Sequence, residues 1–239
     1  TKDTSNIDPK KLKEVLESKK ARYLQYKDQY IARQLLEHKR TLLDNGYAVF
    51  EPDLTVKGDG ETCNDLELQI ESTIIALQES GLVNTNNMAI MGESFGGWTV
   101  NCLITKTNRA KAAVSSCGLS NLMSKRFNMS PNIAAYAINR GQTEINTSIW
   151  EAPLLYWKES PVFGAQKVST PLLLIHGKAD VVVPLSQSLE MYSALSGQGK
   201  TVKLIAYDDI GHNIYLHEKF SQHLLEWFGN YLKNEPMGI

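Results

Sequence analysis

Five short apolar runs are spaced along the chain by stretches long enough to hold a helix: Tyr47-Ala48-Val49-Phe50, Met88-Ala89-Ile90-Met91, Ala112-Ala113-Val114-Ser115, Leu172-Leu173-Leu174-Ile175 and Val202-Lys203-Leu204-Ile205-Ala206. Runs apolar at every position, rather than at every second one, belong to strands buried on both faces. Strands that alternate with helices predict a mostly parallel sheet with helices on both faces, an α/β fold. The intervening helices have their own marks. Leu66, Ile70, Ile74 and Leu77 share one face of a helix near 65–80, with Gly81 as its C-cap. A second helix is expected from about Gly96 to Thr105, and a third from Pro184 to about Leu195. A closing helix carries Phe220, Leu224, Leu225, Trp227, Phe228, Tyr231 and Leu232 at helical spacing, and 119–168 reads as irregular with short helices.

The start of the chain is different in kind. Residues 1–40 hold eleven Lys/Arg against six Asp/Glu, whereas the whole chain of 239 residues has a formal charge of -1. Asp8 as N-cap, Pro9 at the first helical position and Gly46 beyond the end bracket one or two amphipathic helices with a narrow apolar stripe, Leu12, Val15, Leu16, Leu24, Ile31, Leu35, Leu42 and Leu43. The expected organisation is a basic helical segment at 1–45 and a catalytic domain at 46–239. No run of about 18 apolar residues is present, which excludes a helical membrane span. The near-neutral charge offers no field for nucleic acid. Residue 1 is Thr, so the lack of a leader says nothing of compartment; a soluble chain, cytoplasmic or periplasmic/secreted, is the reading. Cys63, Cys102 and Cys117 are too few for a disulfide framework and lack zinc-ligand spacing, so they are read as buried free thiols, with neither metal nor cofactor.

Gly92-Glu93-Ser94-Phe95-Gly96-Gly97 follows the second apolar run and opens a helical stretch. A serine with glycines two before and two after, at a strand-to-helix turn, is the nucleophile-elbow pattern: small neighbours let the backbone reverse and lift the Oγ above the sheet. A serine hydroxyl needs a base, and the base needs a carboxylate to orient it. Asp180 lies just past the fourth run and His212 just past the fifth, in the chain order Ser, Asp, His that this fold demands. His176 at the end of the fourth run reads as structural, and His38, His217 and His223 as helical residues facing solvent or partners. Asp208 and Asp209, the rival acids, share a loop with His212. Aromatic residues of the irregular segment, Tyr136, Trp150, Tyr156, Trp157 and Phe163, are candidates to wall a pocket for the residue preceding the scissile bond, with Val181 and Val182 beside the acid. From these, Trp150, Tyr156 and Val182 are taken as the substrate-binding set.

With GYAVFEPD at 46–53, GESFGGW at 92–98, WEAP at 150–153, SPVFGAQKVSTPLLLIHGKADVVVP at 160–184, GHN at 211–213 and WFGNYLKNEP at 227–236, the chain resembles the catalytic domain of the prolyl oligopeptidase family of serine peptidases. The resemblance implies an α/β-hydrolase fold, Ser94 as nucleophile, Asp180 as acid, His212 as base and the Phe95 amide as an oxyanion donor. It implies hydrolysis of oligopeptides through an acyl-enzyme. Ester hydrolysis on the same fold and a catalytically impaired binding module are the alternatives. Peptide is the implied partner, with an accessory N-terminal domain or a homo-oligomer left open. Family members place a further apolar strand before GYAVFEPD, between it and the MAIMG strand, ending in a loop that completes the oxyanion hole. Residues 1–45 contain no such run. The N-terminal strands are therefore expected to be absent from this chain, with the strand and second oxyanion donor supplied by a segment outside these 239 residues.

Overall fold

The computed structural model describes residues 37–56, 60–128 and 145–237. The Asp8 and Pro9 helix start, the stripe from Leu12 to Leu35, and Tyr136 lie outside them. The chain divides into two compact units, Thr1–Val49 and Phe50–Ile239. In the first, residues 37–44 are helical, and the helix ends as expected at Gly46, whose φ of 77° only glycine adopts without strain. The Tyr47 N–H then closes back on the Leu42 carbonyl at 3.1 Å.

The second unit is built on four parallel strands in the order β1 (Ala89–Glu93), β2 (Ala112–Ser116), β3 (Leu172–Gly177), β4 (Val202–Tyr207). Each coincides with an apolar run. Helix α1 (Thr62–Ser80) precedes β1 and ends on Gly81 in the left-handed region; α2 (Phe95–Ile104) joins β1 to β2. Two short helices, α3 (Leu122–Asn128) and α4 (Pro153–Lys158), follow β2. α5 (Ser186–Gly197) joins β3 to β4, and α6 (Phe220–Phe228) closes the chain with one π turn, Gly229–Lys233. Every residue of β2 and β3 is buried. Ala113, Leu172 and Leu174 meet Val100 and Ile104 of α2 and Met191 and Leu195 of α5 in one cluster. The alternate residues Val114, Leu173 and Ile175 point to the other face and are equally buried.

The run Tyr47–Phe50 differs from expectation. It is irregular and largely exposed, not a buried strand. Apolar character makes a segment suited to a sheet, but only a neighbouring row of N–H and C=O groups makes it a strand. Among the described residues β1 pairs with β2 alone.

A second apolar cluster, on the site side, joins Leu66 of α1, Trp98 of α2, Leu122 of α3, Tyr156 of α4, Ile145, Ile149 and Val183, with Phe95 packed against it. Glu159 ties these elements together. Its Oε2 accepts the Cys63 N–H at 2.8 Å and its carbonyl accepts the Trp98 indole N–H at 3.1 Å. Burial, opposed by the Cys63 N–H, pushes its carboxyl up to about 7. Cys63 and Cys102 are not free thiols. They form a disulfide across the α1–α2 contact (Cα–Cα 5.6 Å), and Cys117 alone is free and buried. Helix packing brings together two residues 39 apart in sequence, a proximity that cysteine spacing does not reveal.

Candidate active site

β1 ends at Glu93 and α2 begins at Phe95, so the whole reversal is left to Ser94. Its φ of 57° and ψ of -115° are costly for a residue with a Cβ, by about 1–3 kcal/mol. Two hydrogen bonds hold it: the Ser94 N–H donates to the Ser116 carbonyl at the end of β2 (2.9 Å), and the Trp98 N–H donates to the Ser94 carbonyl (3.0 Å). A Cβ on Gly92 would lie 2.3 Å from the Gly96 backbone, so the turn closes only on glycine there. The second close approach belongs to Gly97, where a Cβ would lie 2.7 Å from the Gly118 Cα; the space beside Gly96 is open. The Phe95 N–H, in the first turn of α2, has no acceptor among the described residues and is free to meet an oxyanion.

The loops after β3 and β4 are locked to one another. The Lys178 N–H donates to the Tyr207 carbonyl (2.8 Å) and the Ala179 N–H to the Ile210 carbonyl (3.1 Å). This pairing sets Asp180 beside His212. His212 Nδ1 lies 2.7 Å from Asp180 Oδ2, and His212 Nε2 lies 2.8 Å from Ser94 Oγ. An ionised carboxylate only accepts, so Nδ1 carries the proton and Nε2 is left to accept from the serine hydroxyl. Asp180 Oδ1 accepts the N–H groups of Val182 (2.8 Å) and Val183 (2.9 Å). Burial is the largest influence on Asp180 and favours its neutral form, yet the nearby His176 ring (Nε2 to Oδ2 3.4 Å) and hydrogen bonds from His212 and the Val183 N–H together outweigh it and hold the carboxyl well below its ordinary value.

The rivals fall elsewhere. His176 is wholly buried, with Nε2 donating to the Val183 carbonyl (2.9 Å) and Nδ1 meeting Ser188 Oγ (2.7 Å). Asp208 pairs with Lys178 near the surface, and Asp209 is exposed. His217 stacks on Tyr207 with ring centroids 3.6 Å apart, and His223 is buried against the Tyr207 hydroxyl rather than facing solvent. Of the substrate-binding set, Trp150 is 78% exposed beside Phe127 and Val182 is 45% exposed. Tyr156 departs from expectation: it is a core residue, its hydroxyl donating to the Thr147 carbonyl at 2.8 Å, and it offers no surface to a substrate. Cys117, His176 and Asp180 bring three metal-type donors within 4.8 Å of one another. Both His176 nitrogens and both Asp180 oxygens are already committed to the bonds above, so the cluster is a hydrogen-bonded packing unit.

Two charged residues that feel the charge of Asp180 escape sequence reasoning. Glu93, immediately before the nucleophile, is pushed up to about 8, first by burial and then by the Asp180 charge, with the nearby Ile214 N–H acting in the opposite direction. Lys125 of α3 is buried and pushed down to about 8. A charge closing an otherwise apolar strand was the available signal for Glu93. Lys125 had none, because its burial comes from the packing of α3.

A model of the prolyl oligopeptidase family matches residues 61–235, a span that contains Ser94, Asp180 and His212. The chain belongs to this family. Prolyl oligopeptidase relatives include the Bacillus subtilis (strain 168) protein named Uncharacterized peptidase YuxL, 28% identical over 185 residues, covering 71% of this chain and 27% of that protein. Acylamino-acid-releasing enzyme 2 of Oryza sativa subsp. japonica is 28% identical over 163 residues, covering 64% of this chain and 21% of that protein. Among solved structures, a Mycobacterium tuberculosis puromycin-hydrolyzing peptidase matches with a TM-score of 0.65 at 28% identity, over 76% of this chain and 27% of the other. The Pyrococcus horikoshii acylaminoacyl peptidase matches with a TM-score of 0.62 at 25% identity, over 73% and 29%. The fold is thus that of the α/β-hydrolase peptidases, and the chain spans about a quarter of the length of the relatives it matches.

Proposed function

We propose that residues 46–239 form the catalytic domain of a serine peptidase that cleaves oligopeptides through an acyl-enzyme, with 1–45 a separate basic segment. His212 Nε2 takes the Ser94 proton as Oγ attacks the scissile carbonyl, and Asp180 holds the imidazole in the required tautomer and steadies its positive charge. The oxyanion forms against the Phe95 N–H. His212 then returns the proton to the leaving amine. A water, deprotonated in the same way, releases the acyl group and restores Ser94. Desolvation of Asp180 strengthens its hold on the imidazolium, since neighbouring water does not screen the pair.

The observation that carries this reading is the continuous chain of two hydrogen bonds, 2.8 Å and 2.7 Å, from Ser94 through His212 to Asp180. The names of the relatives, an acylamino-acid-releasing enzyme and a puromycin-hydrolyzing peptidase, agree with a substrate whose acyl part is an amino-acid residue. The test is to label the protein with a fluorophosphonate, locate the adduct by mass spectrometry, and compare turnover of aminoacyl anilides with simple aryl esters. An adduct on Ser94 with anilide turnover is expected. An unlabelled Ser94 overturns the reading, and labelling with ester turnover alone makes the chain an esterase.

A further inference from the structure

Buried cations normally lie against a carboxylate, because an ammonium withdrawn from water without a counter-ion is strongly disfavoured. Lys125 does not follow that rule. The residue is 4% exposed, and among the described residues no carboxylate lies within 4.0 Å of its Nζ. The acid bound to α3 and its leading loop, Glu190 of α5, is engaged elsewhere: its two oxygens accept from Asn121 Nδ2 and Ser124 Oγ, both at 2.6 Å. The charge acting on Lys125 is the Asp180 carboxylate, whose oxygens are taken up by His212, Val182 and Val183. Attraction by Asp180 therefore leaves the ammonium uncompensated at contact range, and burial holds it down to about 8.

The position of α3 says where the missing anion would come from. Leu122 and Lys125 are its two buried residues, three apart and so on one face. Leu122 packs in the cluster that includes Val183, three residues beyond Asp180, with Phe95, the residue after the nucleophile, packed against the same cluster. Leu122 thus ties α3 to the residues that adjoin Ser94 and Asp180, and Lys125 lies one turn further along the same buried face. We propose that Lys125 is a specificity-determining residue that pairs with a carboxylate of the substrate, so that the chain selects peptides with an acidic group beside the scissile bond. This rests on the reading of Ser94 as nucleophile. The carboxylate has two sources, an Asp or Glu side chain next to the scissile bond or the free carboxyl terminus of a short peptide.

The experiment compares kcat/KM of the unaltered protein on pairs of peptide anilides that differ only as Glu against Gln before the scissile bond, and on pairs of short peptides with free against amidated C-termini. A preference of at least tenfold for the acidic member of one pair is expected, and the pair that shows it names the source. Lys125→Met brings that ratio close to one, Lys125→Arg keeps most of it, and Lys125→Glu turns it toward a Lys-containing substrate. Equal rates for both pairs, or a preference that survives in Lys125→Met, overturns the proposal. Fluorophosphonate labelling of Ser94 in the same samples separates this failure from loss of the nucleophile. Where turnover is absent, N-acetylglutamate amide should raise the melting temperature and N-acetylglutamine amide should not, with the difference lost in Lys125→Met; equal shifts from the two amides equally overturn it.

Discussion

The carbonyl oxygen of Ile210 stands 2.2 Å from the point a Cβ on Gly177 would occupy, so the loop that carries His212 crosses the end of β3 only because that residue has no side chain. The crossing brings His212 over to Asp180. Gly177→Ala should push the 208–213 loop away and open the 2.7 Å contact between base and acid. A loss of about 1–3 kcal/mol in stability is expected from the overpacking, with kcat falling further than stability alone explains. Urea unfolding and steady-state kinetics on the same preparation check both; normal kcat would show that the loop has another path.

Ser94, His212 and Asp180 should behave as a single device. Replacing any one by Ala is expected to lower kcat by roughly 10⁴-fold or more, and double replacements to be little worse than single ones. Additive losses in a double-mutant cycle would show that the three act separately.

The strain at Ser94 makes a stability prediction that runs against activity. Glycine accepts a φ of 57° freely and alanine does not. Ser94→Gly should therefore melt higher than Ser94→Ala by several degrees, corresponding to about 1–3 kcal/mol, while neither turns over substrate. Equal melting temperatures would mean that the elbow is unstrained.

Two buried carboxyls set a pH trend. Glu159 at about 7 and Glu93 at about 8 both lie above the ordinary value of 4.5. Between that value and their own, the folded chain keeps protons that the unfolded chain has released, so stability falls as pH rises through the window. Only Glu93 still contributes between about 7 and 8. Glu93→Gln should flatten the decline there and gain on the parent by an amount of the order of a few kcal/mol by pH 8. At the acid end Asp180 acts in the opposite sense. Its carboxyl is held below 3.8, so its contribution is present above that pH and is lost as pH falls further. Urea midpoints from about pH 2 to 9 test the whole curve, the acid arm included; a Glu93→Gln curve parallel to that of the parent would refute the assignment.

Strands β2 and β3 were legible because burial on both faces lets their runs be almost wholly apolar, whereas β1 and β4 are only half-buried, and β4 was read from a run that already carried Lys203. Tyr47–Phe50 has the same local character and is not a strand, since pairing depends on a neighbour that no local pattern contains. Asp180 and His212 stood out by their place just past strand ends and by their order after Ser94. Glu93, Lys125 and the Cys63–Cys102 disulfide did not, because each owes its state to packing between elements far apart in sequence. Tyr156 was misjudged for the related reason that an aromatic ring in an irregular segment looks the same whether it walls a pocket or fills a core.

Along β1, five residues from Ala89 to Glu93 present a row of peptide groups that, among the described residues, only β2 on one side answers. Natural sheets blunt such a margin with lysines, prolines or a bulge, and β1 has none of these before Glu93; Met91 at its middle is 42% exposed. An extended segment of any origin finds there a ready template, and two copies of the chain find it in each other. Taken by themselves and concentrated, these 239 residues are expected to associate by strand addition at β1, and Met91→Lys is the change that would discourage it.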